Sequence, residues 1–170
     1  MVRKLLLLGI LMEGKAHGYS LYDYVEHVMS FYKELKKSTA YYLLDKLEEE
    51  GYVTHEKGRE GNRPEKTVYK ITARGKEHFF KLLRESLGGY TQASYGDDIG
   101  IAFINRIPKA EVAQLLAKKR QCIAGELAKF RQVAGHGGGM HYVIDHNMVH
   151  LEADLKWIDG IIRDIEKADS

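Results

Sequence analysis

The sequence predicts a mainly α-helical protein in two parts, and three observations carry that prediction. Apolar residues recur at helical spacing along most of the chain. The pattern switches to short β-type segments once, on either side of a basic loop holding two glycines. The last segment carries an unbroken run of apolar residues at heptad spacing.

With 170 residues, 44% apolar and 29% charged, the chain has material for one ordinary domain or two small ones. Two prolines and no Ser/Gly/Gln-rich tract argue against a large disordered region. The single cysteine, Cys122, excludes an internal disulfide framework and an all-cysteine zinc site. Leu5 to Leu8 is far too short a run for a signal peptide or a membrane span, so a cytoplasmic protein with no membrane partner is expected.

Val2 to Met12 is a compact apolar stretch, a buried helix or strand, ended by a turn at Gly14. Gly18 to Met29 places Tyr19, Leu21, Tyr22, Val25, Val28 and Met29 at the spacing of an amphipathic helix. A further helix follows, with Ser38 as its expected N-cap, Ala40, Leu43, Leu44 and Leu47 on one face, and Gly51 closing it. Tyr52–His55 and Thr67–Ile71 read as two strands of a hairpin, joined by a loop with Gly58, Gly61, Asn62 and Pro64. Thr72 then caps a helix whose apolar positions are Phe79, Phe80, Leu82, Leu83 and Leu87. This order of helices, strand, basic loop, strand and helix is that of a winged helix-turn-helix.

Gly88-Gly89 opens a polar stretch that reads as a linker. Pro108 starts a long helix to about Arg131, with Val112, Leu115, Leu116, Ile123, Leu127 and Phe130 as apolar positions. The glycines at 135 and 137–139 break it. Ile144, Met148, Leu151, Leu155, Ile158, Ile162 and Ile165 then follow at spacings 4-3-4-3-4-3, the a/d seam of a coiled coil. Two antiparallel helices cannot bury both of their apolar faces alone, so a partner chain is the expected cover. The domains read as 1–87, a winged helix-turn-helix; 88–107, a linker; and 108–170, a helical dimerisation and effector domain.

Charge is informative once divided. Residues 1–86 carry +3 and residues 87–170 carry −1, but 57–76 alone carry +5, from Lys57, Arg59, Arg63, Lys66, Lys70, Arg74 and Lys76 against Glu60 and Glu65. Such a patch is either a solvated face or an electrostatic footprint for nucleic acid. The helix from Ser38 sharpens the choice. With its apolar face in the core, Ser38, Thr39, Tyr41, Tyr42, Asp45 and Lys46 face solvent or a groove. Two adjacent aromatics on an ordinary surface helix would be an unexplained exposure, whereas a major groove accepts one helix. Ser38, Thr39, Tyr41, Tyr42 and Lys46 are therefore the expected major-groove contacts. Lys57, Arg59, Arg63 and Lys66 are expected to hold the wing to the backbone or minor groove of double-stranded DNA.

No nucleophile elbow, phosphate-cradling loop or compact acid/base pair is visible, so neither an enzyme nor a cofactor is expected. His146 and His150 share a helix face, but residues 146–150 lack the glutamate of a metalloprotease motif, and the C-terminal histidines read as surface or interface residues rather than a metal site. Cys122 reads as a packed thiol. Trp157 reads as core or dimer packing, or as one wall of an effector pocket with Tyr95, Phe103 or Tyr142.

Four segments, His17-Gly18-Tyr19-Ser20-Leu21, Ser38-Thr39-Ala40-Tyr41, Leu44 through Val53, and Val68 through Gly75, resemble the PadR-type transcriptional regulators in order and spacing over most of residues 4–87. The C-terminal part, including Asp154-Leu155-Lys156-Trp157-Ile158, is similar to the helical dimerisation region of one branch of that family. The resemblance implies a homodimer that represses transcription from palindromic operators and, in some members, releases DNA on binding phenolic or other aromatic compounds. Many relatives carry proline where Tyr42 stands, so base preference at that position lies outside what the resemblance implies. The alternative is a winged-helix protein-interaction module with no specific operator.

Overall fold

The computed structural model describes residues 1–14, 37–58, 66–93, 95–96, 98–133 and 137–167. The helix expected over 18–29, the His17 motif, and Arg59 and Arg63 lie outside them. The chain divides into two compact units, Met1–Gln92 and Ala93–Ser170. Among the described residues no helix is long and apolar enough to cross a membrane.

The first unit opens with α1, Val2–Met12, which settles the first apolar stretch as a helix; Leu7, Leu8, Ile10 and Leu11 are buried. Helix α2, Lys37–Glu49, already includes Lys37, so Ser38 lies within the helix and not at its cap. Lysine is a better helix former than serine, and its backbone is helical at position 37. Ala40, Leu44 and Leu47 are buried, as their spacing requires, and join α1, Val53 and Leu82 in one core. Fully burying a leucine of this kind contributes about 1.5–3 kcal/mol.

The end of α2 follows from Gly51. Its φ of +75° is the left-handed conformation that glycine adopts without strain. The Gly51 N–H then donates to the Glu48 carbonyl and the Tyr52 N–H to that of Leu47, the paired bonds of a Schellman terminus. This turn feeds β1, Val53–Gly58, which pairs antiparallel with β2, Lys66–Ile71, in a register running from Val53 opposite Ile71 to Gly58 opposite Lys66. Val53 is buried, and Tyr69 and Ile71 pack on the same core.

Thr72 locks the base of this hairpin. Its hydroxyl accepts from the Gly75 N–H at 3.0 Å, capping α3, Ala73–Gly88. The same hydroxyl lies 2.8 Å from the Gly51 carbonyl, to which it donates. At Gly75 the backbone of Tyr52 comes so close that a Cβ would sit 2.0 Å from its carbonyl oxygen. Phe79 and Leu82 of α3 face the core. Phe80 and Leu87 are exposed, Leu87 at 79%, so not every apolar position of this helix is a core position.

In the second unit, the part of the expected linker after residue 92 holds a short helix α4, Asp98–Ala102, and a 3-10 turn, Ile104–Arg106. Ile101 and Ile104 pack on a core of Val112, Leu116 and Ile158. Pro108 precedes α5, Lys109–Gln132, and α6 runs over Gly139–Lys167. The two long helices are antiparallel, tied by Arg120 to Asp159 at 2.6 Å and Arg131 to Glu152 at 2.9 Å. Hydrogen bonding from Arg120 holds the Asp159 carboxyl below the usual aspartate range.

Part of the heptad seam is covered by the chain itself. Ile158 is fully buried, Ile144 is buried, and Ile162 and Ile165 pack against the core that α5 contributes to. Met148, Leu151 and Leu155 remain half-buried. Cys122, expected as a packed thiol, is exposed. It stands one residue from Ile123, about 100° around the helix, and so falls off the stripe of Val112, Leu116 and Leu127.

Candidate nucleic-acid interface

Helix α2 divides into two faces. Ala40, Leu44 and Leu47 point into the core, while Ser38 and Asp45 are exposed and Thr39 and Lys46 are half-buried. Tyr41 and Tyr42 are 41% and 60% exposed, so the two adjacent aromatics stand out from the unit as the helical phase requires. Helix α2 has no acidic residue in its first turn, so no carboxylate of that turn neutralises its positive end.

The other end carries Glu48, Glu49 and Glu50, which would repel phosphate if left bare. Each has a cationic or basic partner. Lys4 of α1 reaches both oxygens of Glu50 at 2.7 Å. The Nδ1 of His55 on β1 lies 2.7 Å from Glu48, whose carboxylate also accepts the His55 backbone N–H. Lys46 binds Glu49 at 2.6 Å, and this contact raises the lysine pKa, keeping the ammonium charged. These pairings link positions 7 to 46 residues apart in two of the three cases, and the sequence alone gave no signal for them.

The hairpin lies against this helix. Burial, with Asp45 as the next cause, pushes the Tyr69 phenol up, so it stays neutral behind α2. On the outer side Lys70 pairs with Glu56 at 2.6 Å. Lys57 is the next-to-last residue of β1, opposite Thr67, and Lys66 is the first residue of β2, opposite Gly58, both at the loop end of the hairpin. The backbone thus brings these two expected wing cations to the same end of the hairpin. Arg74 stands over the Tyr52 ring at 5.1 Å, while His78 stacks on the same ring at 4.2 Å. Arg74 is thereby held at the hairpin's base, away from the tip.

The four residues expected around an effector are all exposed: Tyr95, Phe103, Tyr142 and Trp157. A groove of about 440 Å³ runs between α5 and α6, with Leu127, Leu155, Arg131, Lys156 and Arg163 on its walls. None of the four aromatics lines it. Among the described residues no group of three or more His, Cys, Asp or Glu side chains is gathered as a metal site.

The family model of the transcriptional regulator PadR-like family matches residues 7–81. The negative transcriptional regulator PadR of Bacillus subtilis is 33% identical over 181 residues, with 98% of each chain covered. The chain belongs to the PadR-like family of transcriptional regulators. The Bacillus subtilis PadR structure in complex with operator DNA superposes with a TM-score of 0.83, 21% of the superposed residues being identical, over 97% of this chain and 99% of that one. The structure of the same PadR in complex with p-coumaric acid gives 0.77 at 20%, over 98% and 99%. The structural match therefore covers both units, the winged-helix part and the long helices. The matched segment begins inside α1 and ends inside α3, so it spans the core, α2 and the hairpin together.

Proposed function

We propose that this PadR-like regulator is a cytoplasmic homodimeric repressor that binds a palindromic operator and is released by a small aromatic effector. One observation carries the DNA-binding part: Tyr41 and Tyr42 stand exposed on a helix whose opposite face is fully committed to the core. Ser38, Thr39, Tyr41, Tyr42 and Lys46 meet the major groove, where Lys46 exchanges Glu49 for a phosphate. Lys57, Arg59, Arg63 and Lys66 hold the wing to the backbone. The first contacts discriminate between bases and the second set positions the protein.

One winged-helix domain covers too few base pairs for gene-level specificity, so two are needed, about one helical turn apart. The heptad residues of α6 form the dimer contact, with Met148, Leu151 and Leu155 as the members left partly open and Ile144, Ile158, Ile162 and Ile165 supporting them from within the chain. Trp157, with Tyr95, Phe103 and Tyr142, supplies aromatic surface for the effector. The repressor and effector readings are supported by the relative, a negative regulator whose structure has been solved with operator DNA and with p-coumaric acid.

Fluorescence anisotropy on duplexes tests this reading, using DNA upstream of the gene, random duplex of equal length, a salt series and a panel of aromatic carboxylic acids. The expected result is upstream binding tighter than random by about 10³ or more, with log affinity falling linearly in log salt. At least one aromatic acid should weaken the specific complex alone. Equal, salt-insensitive association with all duplexes contradicts the reading.

A further inference from the structure

His146 and His150 stand one turn apart on α6, off the heptad seam. Their Nε2 atoms are 3.0 Å apart, with ring centroids separated by 4.4 Å and planes inclined at 73°. Both rings are exposed. Nearby polar groups are engaged elsewhere: Asp145 pairs with His141 at 3.1 Å, and the Asn147 amide donates to the Val143 carbonyl at 2.7 Å. Among the described residues, the polar partner of each imidazole is the other imidazole.

At this separation one neutral ring donates its N–H and the other accepts. Moving the donor ring's proton from Nε2 to Nδ1, a tautomer shift that keeps the imidazole neutral, leaves two nitrogen lone pairs aimed into the same small space, which is the arrangement a metal ion requires. Bonds from a divalent ion to imidazole nitrogen are about 2.0–2.1 Å long, so two ligands subtending about 90–109° at the metal stand about 2.9–3.4 Å apart. The observed 3.0 Å lies inside that window, and α6 already fixes both side chains one above the other. A chelate thus forms without rearranging the helix, which removes most of the ordering cost of binding.

The geometry points to His146 and His150 as a bidentate site for a divalent transition-metal ion of the copper, nickel and zinc class. Imidazole suits these ions, whereas calcium and magnesium select oxygen ligands. Two protein ligands leave the remaining coordination positions to water, so the site is open and exchangeable rather than a closed four-ligand structural centre. The intervening residues are Asn147, Met148 and Val149, with no glutamate to act as a base, so the site binds a metal without hydrolytic chemistry. Bound metal clasps one turn of α6 between Ile144 and Leu151 and resists its unwinding.

The test is calorimetric titration of the untagged full chain with Ni²⁺, in parallel with His146→Ala, His150→Ala and the control His141→Ala. The expected result is one ion per chain, with affinity weakened about tenfold or more in each of the first two variants, because each loses one of two protein ligands. His141→Ala should keep wild-type affinity. Cu²⁺ should bind more tightly than Ni²⁺ in the wild type. Thermal unfolding should shift upward with Ni²⁺ in the wild type and not in His150→Ala, since a ligand that binds only the folded chain stabilises it. No uptake by the wild type, or undiminished affinity in both His146→Ala and His150→Ala, overturns the proposal.

Discussion

In the proposed DNA contact, base discrimination rests most heavily on Tyr42. It is the more exposed of the two adjacent tyrosines, so truncating it removes contact surface without opening the core. Tyr42→Ala should therefore cost about 1–3 kcal/mol on the preferred operator and much less on random duplex, measured by anisotropy on both. An equal loss on both would make Tyr42 a backbone contact. Lys46 starts from a different state, held by Glu49, but an exposed ion pair of this kind is weak and easily traded for a phosphate. The outward placement of Tyr41 and Tyr42 was legible in the sequence, because Ala40, Leu44 and Leu47 fix the phase of the helix. Cys122 was not: the long α5 carries apolar residues on several faces, and only its packing partners show which stripe is used.

Helix α3 and the hairpin show what local pattern does and does not reveal. Thr72 was legible as an N-cap, because serine and threonine before an apolar-periodic run satisfy the free N–H groups of a helix start. The demand for glycine at position 75 was not, because it arises from the Tyr52 carbonyl, which is remote in sequence. Gly75→Ala drives a Cβ into backbone that cannot move aside cheaply, so it should destabilise the first unit by about 3 kcal/mol or more in urea unfolding. A loss below about 1 kcal/mol would mean the hairpin base can shift. The wing is tested separately. Replacing both Arg59 and Arg63 by alanine should weaken binding to all duplexes alike and reduce the log–log salt slope by roughly one to two units. An unchanged slope would remove these arginines from the phosphate contacts.

For the molecule as a whole, periodicity announced the heptad stripe of α6 but not its cover, since the spacing is the same whether a neighbouring helix or a second chain lies against it. The structure assigns Ile158 to the chain's own core and leaves Leu155 half-buried. The two positions should therefore separate on mutation. Ile158→Ala should cost about 2–5 kcal/mol of stability in the second unit through the cavity it leaves. In the proposed dimer, Leu155→Glu places a charge in the contact of both chains, and should lower the dimer population at micromolar protein and abolish tight operator binding, as read by sedimentation and anisotropy on one sample. A Leu155→Glu protein that stays dimeric places the contact elsewhere on the second unit. Selection of duplexes from a random pool by the purified full chain tests two-fold operator recognition most directly. The expected outcome is an enriched inverted repeat whose half-sites lie about one helical turn, about 10 base pairs, apart. Enrichment of a single unpaired half-site, or of no sequence over the starting pool, would contradict it.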